Sequence, residues 1–283
     1  MTYAIVTDST ADLTQEERAT LRVKMVPLKI ALDGKSYIDQ IDVSSPAFYE
    51  IMAATDSLPQ SSQPSPLDFQ KAYQELAEEG FEGILSIHIA GVLSGTSQSA
   101  SLAANQVDIP VEVIDSRGAS ASLALLVKRA AELRDAGISF QEAAEELKNT
   151  PTHFELAPDT LDNLLKNGRL SQDQVNGILA LNVKLMFAFD DAGTLLAAGK
   201  AKGTHGVIKQ FVANIKKDTE KLGKQGVRFL TGGGDSADWV EKFRAELKAK
   251  GIDYQDEGSN LCGATILTHT GLGVIGYGSI TLR

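Results

Sequence analysis

A single cysteine, Cys262, stands in a chain of 283 residues, so no internal disulfide framework can form. The four histidines meet no second Cys or His at ligand spacing, which removes the zinc signatures. Cys262 itself, in "NLCGAT", has no thiol-activating neighbour in sequence and reads as a small buried residue. Long apolar runs are absent as well: nothing approaches the ~18 residues needed to cross a bilayer. The opening "MTYAIVTDST" lacks the basic region and apolar stretch of a signal peptide, so a cytoplasmic protein is expected. Basic blocks are also missing. With 27 Lys and Arg against 37 Asp and Glu, the net charge of -10 argues against a groove for the phosphate backbone of DNA or RNA.

What is present suits a folded protein: 43% hydrophobic and 23% charged residues, with a length that suggests two domains. In the first half, short β-rich runs alternate with helix-length segments. "YAIV" leads into "TDSTADLTQEERATL", where Asp8, Ser9, Thr10 and Asp12 offer cap oxygens before a helix. "VKMVPLKIAL" reads as a second strand, followed by the turn "DGK" and a helix near "PAFYEIM"; "GILSIHI" and "VEVID" are the third and fourth strands. This rhythm predicts a mostly parallel sheet flanked by helices, with its sites at the carboxyl ends of strands. Polar clusters fall there: Asp8-Ser9-Thr10, Ser94-Gly95-Thr96 and Asp115-Ser116-Arg117.

The character changes around "NTPTHFELAPDT". Helical segments "LDNLLKNG" and "SQDQVNGIL" precede two strands joined at "DDAG", then a helix near "VIKQFVANIKKDTEKL", the strand "VRFL", the turn "TGGGD", a helix near "SADWVEKFRAELKAK" and closing strands from Gly263. The expected organisation is an N-terminal α/β domain over 1-152 and a second α/β lobe over 153-283 with a mixed or antiparallel sheet.

Chemistry-bearing residues gather in a few places. The stretch "LPQSSQPSPLDFQ" holds Ser61, Ser62, Gln63 and Ser65 among three prolines, read as a stiff loop with free hydroxyls. "AGVLSGTSQSA" places Ser94, Thr96 and Ser97 at a helix N-terminus, where N–H groups and the helix dipole favour an anion. Together these hydroxyls suit a carboxylate; separately they serve equally well as capping and turn residues. Gly271, Gly273 and Gly276 match the G-x-G-x-x-G spacing of a dinucleotide turn, but too little chain follows for the crossover helix, so turns explain them better. "TGGGD" lacks the Lys-Ser/Thr of a P-loop and reads as a turn capped by Asp235. His88 lies inside the third strand and reads as structural, His153 and His205 as solvated loop residues. His269, after an apolar strand end, is placed to face an interdomain cleft. Arg169 in "KNGRLS", with Lys200 and Lys202, forms a candidate phosphate patch or an ordinary solvated surface. Ser94, with His269 as base, is also a candidate hydrolase or acyltransferase nucleophile, although its surroundings are not the G-x-S-x-G elbow.

Six stretches in order, "TDSTADL", "SSQPSP", "LSGTSQSA", "VIDSR", "KNGRLS" and "HTGLG", resemble the DegV family of bacterial fatty-acid-binding proteins over essentially the full length. The resemblance implies a two-domain protein holding a long-chain fatty acid in the interdomain cleft, without a metal, nucleotide or other cofactor. It implies carboxylate binding by Ser61, Ser62, Ser94, Gly95 and His269, with phosphate or kinase contact by Arg169 and Lys202. The implied partner is a separate ATP-dependent fatty acid kinase that makes acyl phosphate for phospholipid synthesis. No catalysis by the chain alone, no nucleic acid, and transient membrane contact for lipid exchange complete the expectation. The sequence departs from the family pattern at Lys200-Ala201-Lys202, where Lys-x-Arg is common, at Lys184-Leu185, where Lys-Pro is common, at Asn167-Gly168-Arg169, where Gly-Gly-Arg is common, and at Leu272, where proline is common. A family member serving mainly as an interaction protein, binding no lipid, is the third reading.

Overall fold

The computed structural model describes residues 2–175, 183–190, 192–233 and 238–282. Strand β1 (Tyr3–Asp8) is buried along its whole length, as a central parallel strand must be. It ends at Asp8, whose carboxylate accepts the Thr10 N–H and caps a 3-10 turn, Ser9–Ala11. Helix α1 (Gln15–Thr20) takes its cap from Thr14, in a capping box with Glu17, rather than from the Asp8 to Asp12 cluster expected to supply it. The run "VKMVPLKIAL" is two strands, not one, because Pro27 lacks the N–H a ladder requires. Its first part, β2 (Val23–Val26), pairs in parallel with β1. Its second part, β3 (Lys29–Leu32), leaves for a small antiparallel sheet with β4 (Lys35–Ile38).

Helix α2 (Ser45–Ala53) then leads to β5 (Gln60–Ser62), which joins β3 in antiparallel register. Helix α3 (Pro66–Glu78), opened by a Ser65 cap and a proline in its first turn, precedes β6 (Gly83–His88). Helix α4 (Thr96–Ala104) and β7 (Val111–Asp115) complete a four-stranded, wholly parallel sheet in the order β2-β1-β6-β7. Alternation along β1 divides its core contacts. Ala4 and Val6 meet Phe69, Tyr73, Ala100 and Ala103 of α3 and α4. Tyr3 and Ile5 belong to the cluster of α5 (Ser120–Asp135) and α6 (Phe140–Asn149).

The second sheet starts at β8 (Thr152–Ala157), which is followed by the short helices α7 (Asp162–Lys166) and α8 (Gln172–Val175). Strands β9 (Val183–Phe189) and β10 (Leu195–Lys202) form the expected antiparallel pair. Helix α9 (Gly203–Leu222), β11 (Gln225–Thr231), α10 (Trp239–Ala249), β12 (Tyr254–Leu261), α11 (Ala264–Thr270) and β13 (Ile275–Thr281) follow. The order is β10-β9-β8-β13-β11-β12, and only β11 and β12 run parallel. The chain is thus α/β with one parallel and one mixed sheet. Phe211, Trp239 and Phe243 of α9 and α10 pack on Phe229 and Tyr277 on one face. On the other, α5 comes so close to β13 that a Cβ on Gly278 would lie 2.4 Å from the Ser122 nitrogen. One apolar cluster, including Ile5, Leu123, Leu126, Leu230 and Ile280, therefore runs through both sheets with α5 between them.

Several expectations change here. The stretch from Gly263 opens as helix α11, not a strand. "YQDEGSNL" forms β12 despite its polarity, because it is the edge of the sheet and leaves much of its surface in solvent. His153 lies on β8, not in a loop, with Nε2 2.9 Å from Glu155 Oε1, and His205 lies in the first turn of α9. Part of "SQDQVNGIL", Asp191 of "DDAG", and Gly234 and Asp235 of "TGGGD" lie outside the described residues. Among the described residues no helix is long and apolar enough to cross a membrane.

Candidate functional site

Ser61 and Ser62 sit on a strand, and successive strand residues face opposite ways. Ser61, opposite Ile30 on β3, lines a largely apolar cavity, whereas Ser62 is exposed and does not line it. The stiff loop expected here is β5, and that is why the two serines part company. Ser94 lines the same cavity from the loop after β6, with Oγ 2.8 Å from the Thr96 hydroxyl. Gly95 does not line it. A Cβ there would fall 2.4 Å from the Gln63 side-chain oxygen, so this glycine lets the Ser61 and Ser94 segments approach each other. Gln63 Nε2 completes the link by donating to Ser99 Oγ at 3.1 Å.

Helix α11 supplies the third wall. Buried Asp39 binds its N-terminus, accepting from the Ala264 and Thr265 N–H groups at 3.3 and 3.2 Å and from the Thr265 hydroxyl at 2.6 Å. Asp12 holds the preceding residue, accepting the Gly263 N–H at 2.9 Å and the Ser120 hydroxyl at 2.5 Å. Burial raises both carboxyl groups above their ordinary range, Asp12 well above it, and the Asp39 charge adds to the Asp12 shift. Cys262 beside them is fully buried, and burial followed by the Asp12 charge pushes its thiol well up, so it is an inert packing residue.

From this anchored helix, Thr265, Ile266, His269 and Thr270 face the cavity. His269 Nε2 is 2.8 Å from Ser61 Oγ, while its buried Nδ1 has no hydrogen-bond partner. Burial, and then the Arg169 charge, lower its pKa from 6.5 to about 4, so the ring is neutral near pH 7. Arg169, after α7, lines the cavity and donates from Nη1 to the Asn167 carbonyl at 2.6 Å. Lys202, exposed at the end of β10, does not line it; Lys200 is likewise exposed. Lys184 pairs with Asp159.

The remaining wall is apolar: Leu93, Phe154, Leu156, Leu164, Phe189 and Leu195 among others. An open groove shares Leu93, Arg169 and Leu195 with the cavity. Thr265, Thr270, Asp39 and the two phenylalanines were not singled out from sequence. A signal existed for Thr265, which is four residues before His269 and so shares its helical face, but a strand reading of this stretch hid it.

The geometry does not pair Ser94 with His269. Ser94 faces Thr96, His269 faces Ser61, and no carboxylate orients the free nitrogen of His269. A true Asp-His-Ser series does exist elsewhere: Asp8 Oδ2 is 3.0 Å from His88 Nδ1, His88 Nε2 is 2.7 Å from Ser86 Oγ, and Ser86 Oγ is 2.7 Å from the Tyr73 hydroxyl. All four side chains are fully buried, closed to any substrate. Asp8 Oδ2 also accepts the Ile89 N–H at 3.1 Å, so the series fixes the start of the Ser94 loop.

Two sheets, joined by a shared helix, with hydroxyls and an imidazole on the wall of an apolar cavity, define the class: an α/β protein with one parallel and one mixed sheet. A family model described as "Uncharacterised protein, DegV family" matches residues 2–282, and the chain belongs to that family. A DegV domain-containing protein of Deinococcus radiodurans is 36% identical over 283 residues, covering 98% of this chain and 97% of the relative. One from Listeria innocua is 38% identical over 223 residues, 77% of this chain and 78% of its own. Among solved structures, a DegV family protein from Thermus thermophilus, described for its fatty acid binding, superposes with a TM-score of 0.90 at 34% identity over 100% of both chains. DegV from Bacillus subtilis, described as a fatty acid binding protein, superposes with a TM-score of 0.87 at 28% identity, again over 100% of both chains.

Proposed function

We propose that this chain binds a long-chain fatty acid, its carboxylate among Ser61, Ser94 and His269 and its tail in the apolar chamber. The convergence of these three side chains, from three separate segments, on one apolar cavity carries the reading. A proton on His269 Nε2 donates to Ser61 Oγ and leaves the Ser61 hydroxyl hydrogen free to donate to the carboxylate. These donors offset the several kcal/mol that an unpaired buried carboxylate costs. The tail supplies most of the affinity: ~14 methylenes at about 0.8 kcal/mol each give about 11 kcal/mol before entropic costs.

In this reading the protein is a cytosolic carrier, without catalysis of its own, that presents the carboxylate to a separate ATP-dependent kinase for acyl phosphate formation in phospholipid synthesis. Arg169, on the wall common to chamber and groove, would meet phosphate or the kinase. Lys202 lies outside that wall, and a kinase contact for it belongs to the outer surface. Exchange of the lipid with a membrane would proceed through the groove. Denaturing solvent extraction of the purified protein, with lipid identification and stoichiometry by mass spectrometry, tests the binding step. Near-stoichiometric fatty acid is expected; an empty protein that also fails to take up added fatty acid would refute the reading.

A further inference from the structure

Two chambers meet at one wall. Phe154 on β8 and Phe189 on β9 stack with ring centroids 5.5 Å apart and planes 18° from parallel. Both line the apolar chamber. Both also line a second space, whose other walls include Arg117, Ser122, His153 and Asp190. Among the described residues these two rings alone border both spaces, and Ser61, Ser94 and His269 border only the first. Where the two spaces adjoin, the aromatic pair stands between them.

The two spaces differ in chemistry as well as position. Leucine, isoleucine and phenylalanine dominate the first, while a guanidinium, an imidazole, a carboxylate and a hydroxyl border the second. An apolar chain end pushed through the wall would exchange hydrocarbon contacts for polar ones and separate two stacked rings. Phe154 is 2% exposed and packed in the main core, and Phe189 packs against that core, so both rings are held by their neighbours.

We propose that the Phe154–Phe189 pair is the length stop of the acyl chamber, a specificity-determining wall that fixes the longest tail the protein accepts. This inference rests on the fatty-acid reading above. Below the limit, each added methylene buried raises affinity about fourfold, the equivalent of about 0.8 kcal/mol. At the limit the rise ends, and longer acids bind more weakly. Phe189→Ala joins the chambers, and Phe189→Leu thins the wall at smaller cost to packing. Leu164→Ala enlarges the first chamber at a residue that does not border the second.

The experiment is a ladder of saturated fatty acids of increasing length, titrated by calorimetry into delipidated wild type and the three variants, each checked for fold by circular dichroism. The expected result is a ceiling in the wild type, a higher ceiling in Phe189→Ala and Phe189→Leu, and an unchanged ceiling with weaker binding overall in Leu164→Ala. Should Phe189→Ala fail to fold, Phe189→Leu carries the comparison. A wild-type ceiling that stays in place in every folded Phe189 variant overturns the length stop while leaving the fatty-acid reading intact. Absence of binding by the wild type at any length overturns both.

Discussion

Acid should loosen this protein through one ring. In the native chain His269 titrates at about 4, whereas in the unfolded chain it returns to its ordinary 6.5. Between those values the unfolded chain holds the proton and the native chain does not, so the stabilisation present above pH 6.5 is lost as pH falls toward about 4. At about 1.4 kcal/mol per pH unit, this interval amounts to about 3 kcal/mol, a large part of the stability of an ordinary domain. The assay is urea unfolding across this pH range for wild type and His269→Gln. Other titrating groups act alike in both proteins and cancel in the difference. The wild type should lose about 3 kcal/mol more than the variant on acidification. Filling the chamber with a fatty acid should shrink that gap, since a carboxylate beside the ring favours its protonated form. Parallel pH curves for the two delipidated proteins would refute the argument that burial and Arg169 hold the ring neutral.

Three further outcomes follow from the same geometry. Ser61→Ala should weaken fatty acid binding by about 1–3 kcal/mol without unfolding the protein, while Ser62→Ala leaves it unchanged; equal losses in a lipid titration would show that strand alternation does not divide the two serines. Gly278→Ala should destabilise the fold by about 1–3 kcal/mol in urea, because its Cβ would meet the α5 backbone, which has no flexible side chain to move aside. Arg169→Ala should retain the lipid, slow phosphorylation by an added fatty acid kinase, and raise the His269 pKa, measurable from its ring proton resonances; full kinase turnover would remove Arg169 from that role.

Much of this was legible in the chain. The parallel sheet followed from the alternation of apolar runs and helices, and the polar clusters ending β1, β6 and β7 do fall at strand ends. Ser61, Ser94, Arg169 and His269, far apart in sequence, were each marked by local motif, and the structure puts them on one cavity. What stayed hidden depended on partners elsewhere in the chain. Ser62 could be separated from Ser61 only by pairing β5 with β3, which the three flanking prolines concealed. The role of Asp39 became visible only when α11, 225 residues later, docked against it. Helix α11 itself was misread because its seven residues are rich in β-branched side chains, and tertiary contacts override that preference.

The placement of β13 also sets an order of assembly. Every strand of the parallel sheet has been made once Asp115 has been added, and helices α3 and α4 are by then available to cover it. The second sheet has no such independence. Until Ile275–Thr281 arrives, it exists as two fragments, β10-β9-β8 on one side and β11-β12 on the other, each with an unpaired edge where β13 belongs. Such edges are the surfaces on which chains pair with one another, so the interval before β13 docks is when aggregation competes with folding. His269 lies on the helix just before that strand. The chamber is therefore incomplete until α11 and β13 dock, and a chain whose second sheet is still open has no place for a ligand.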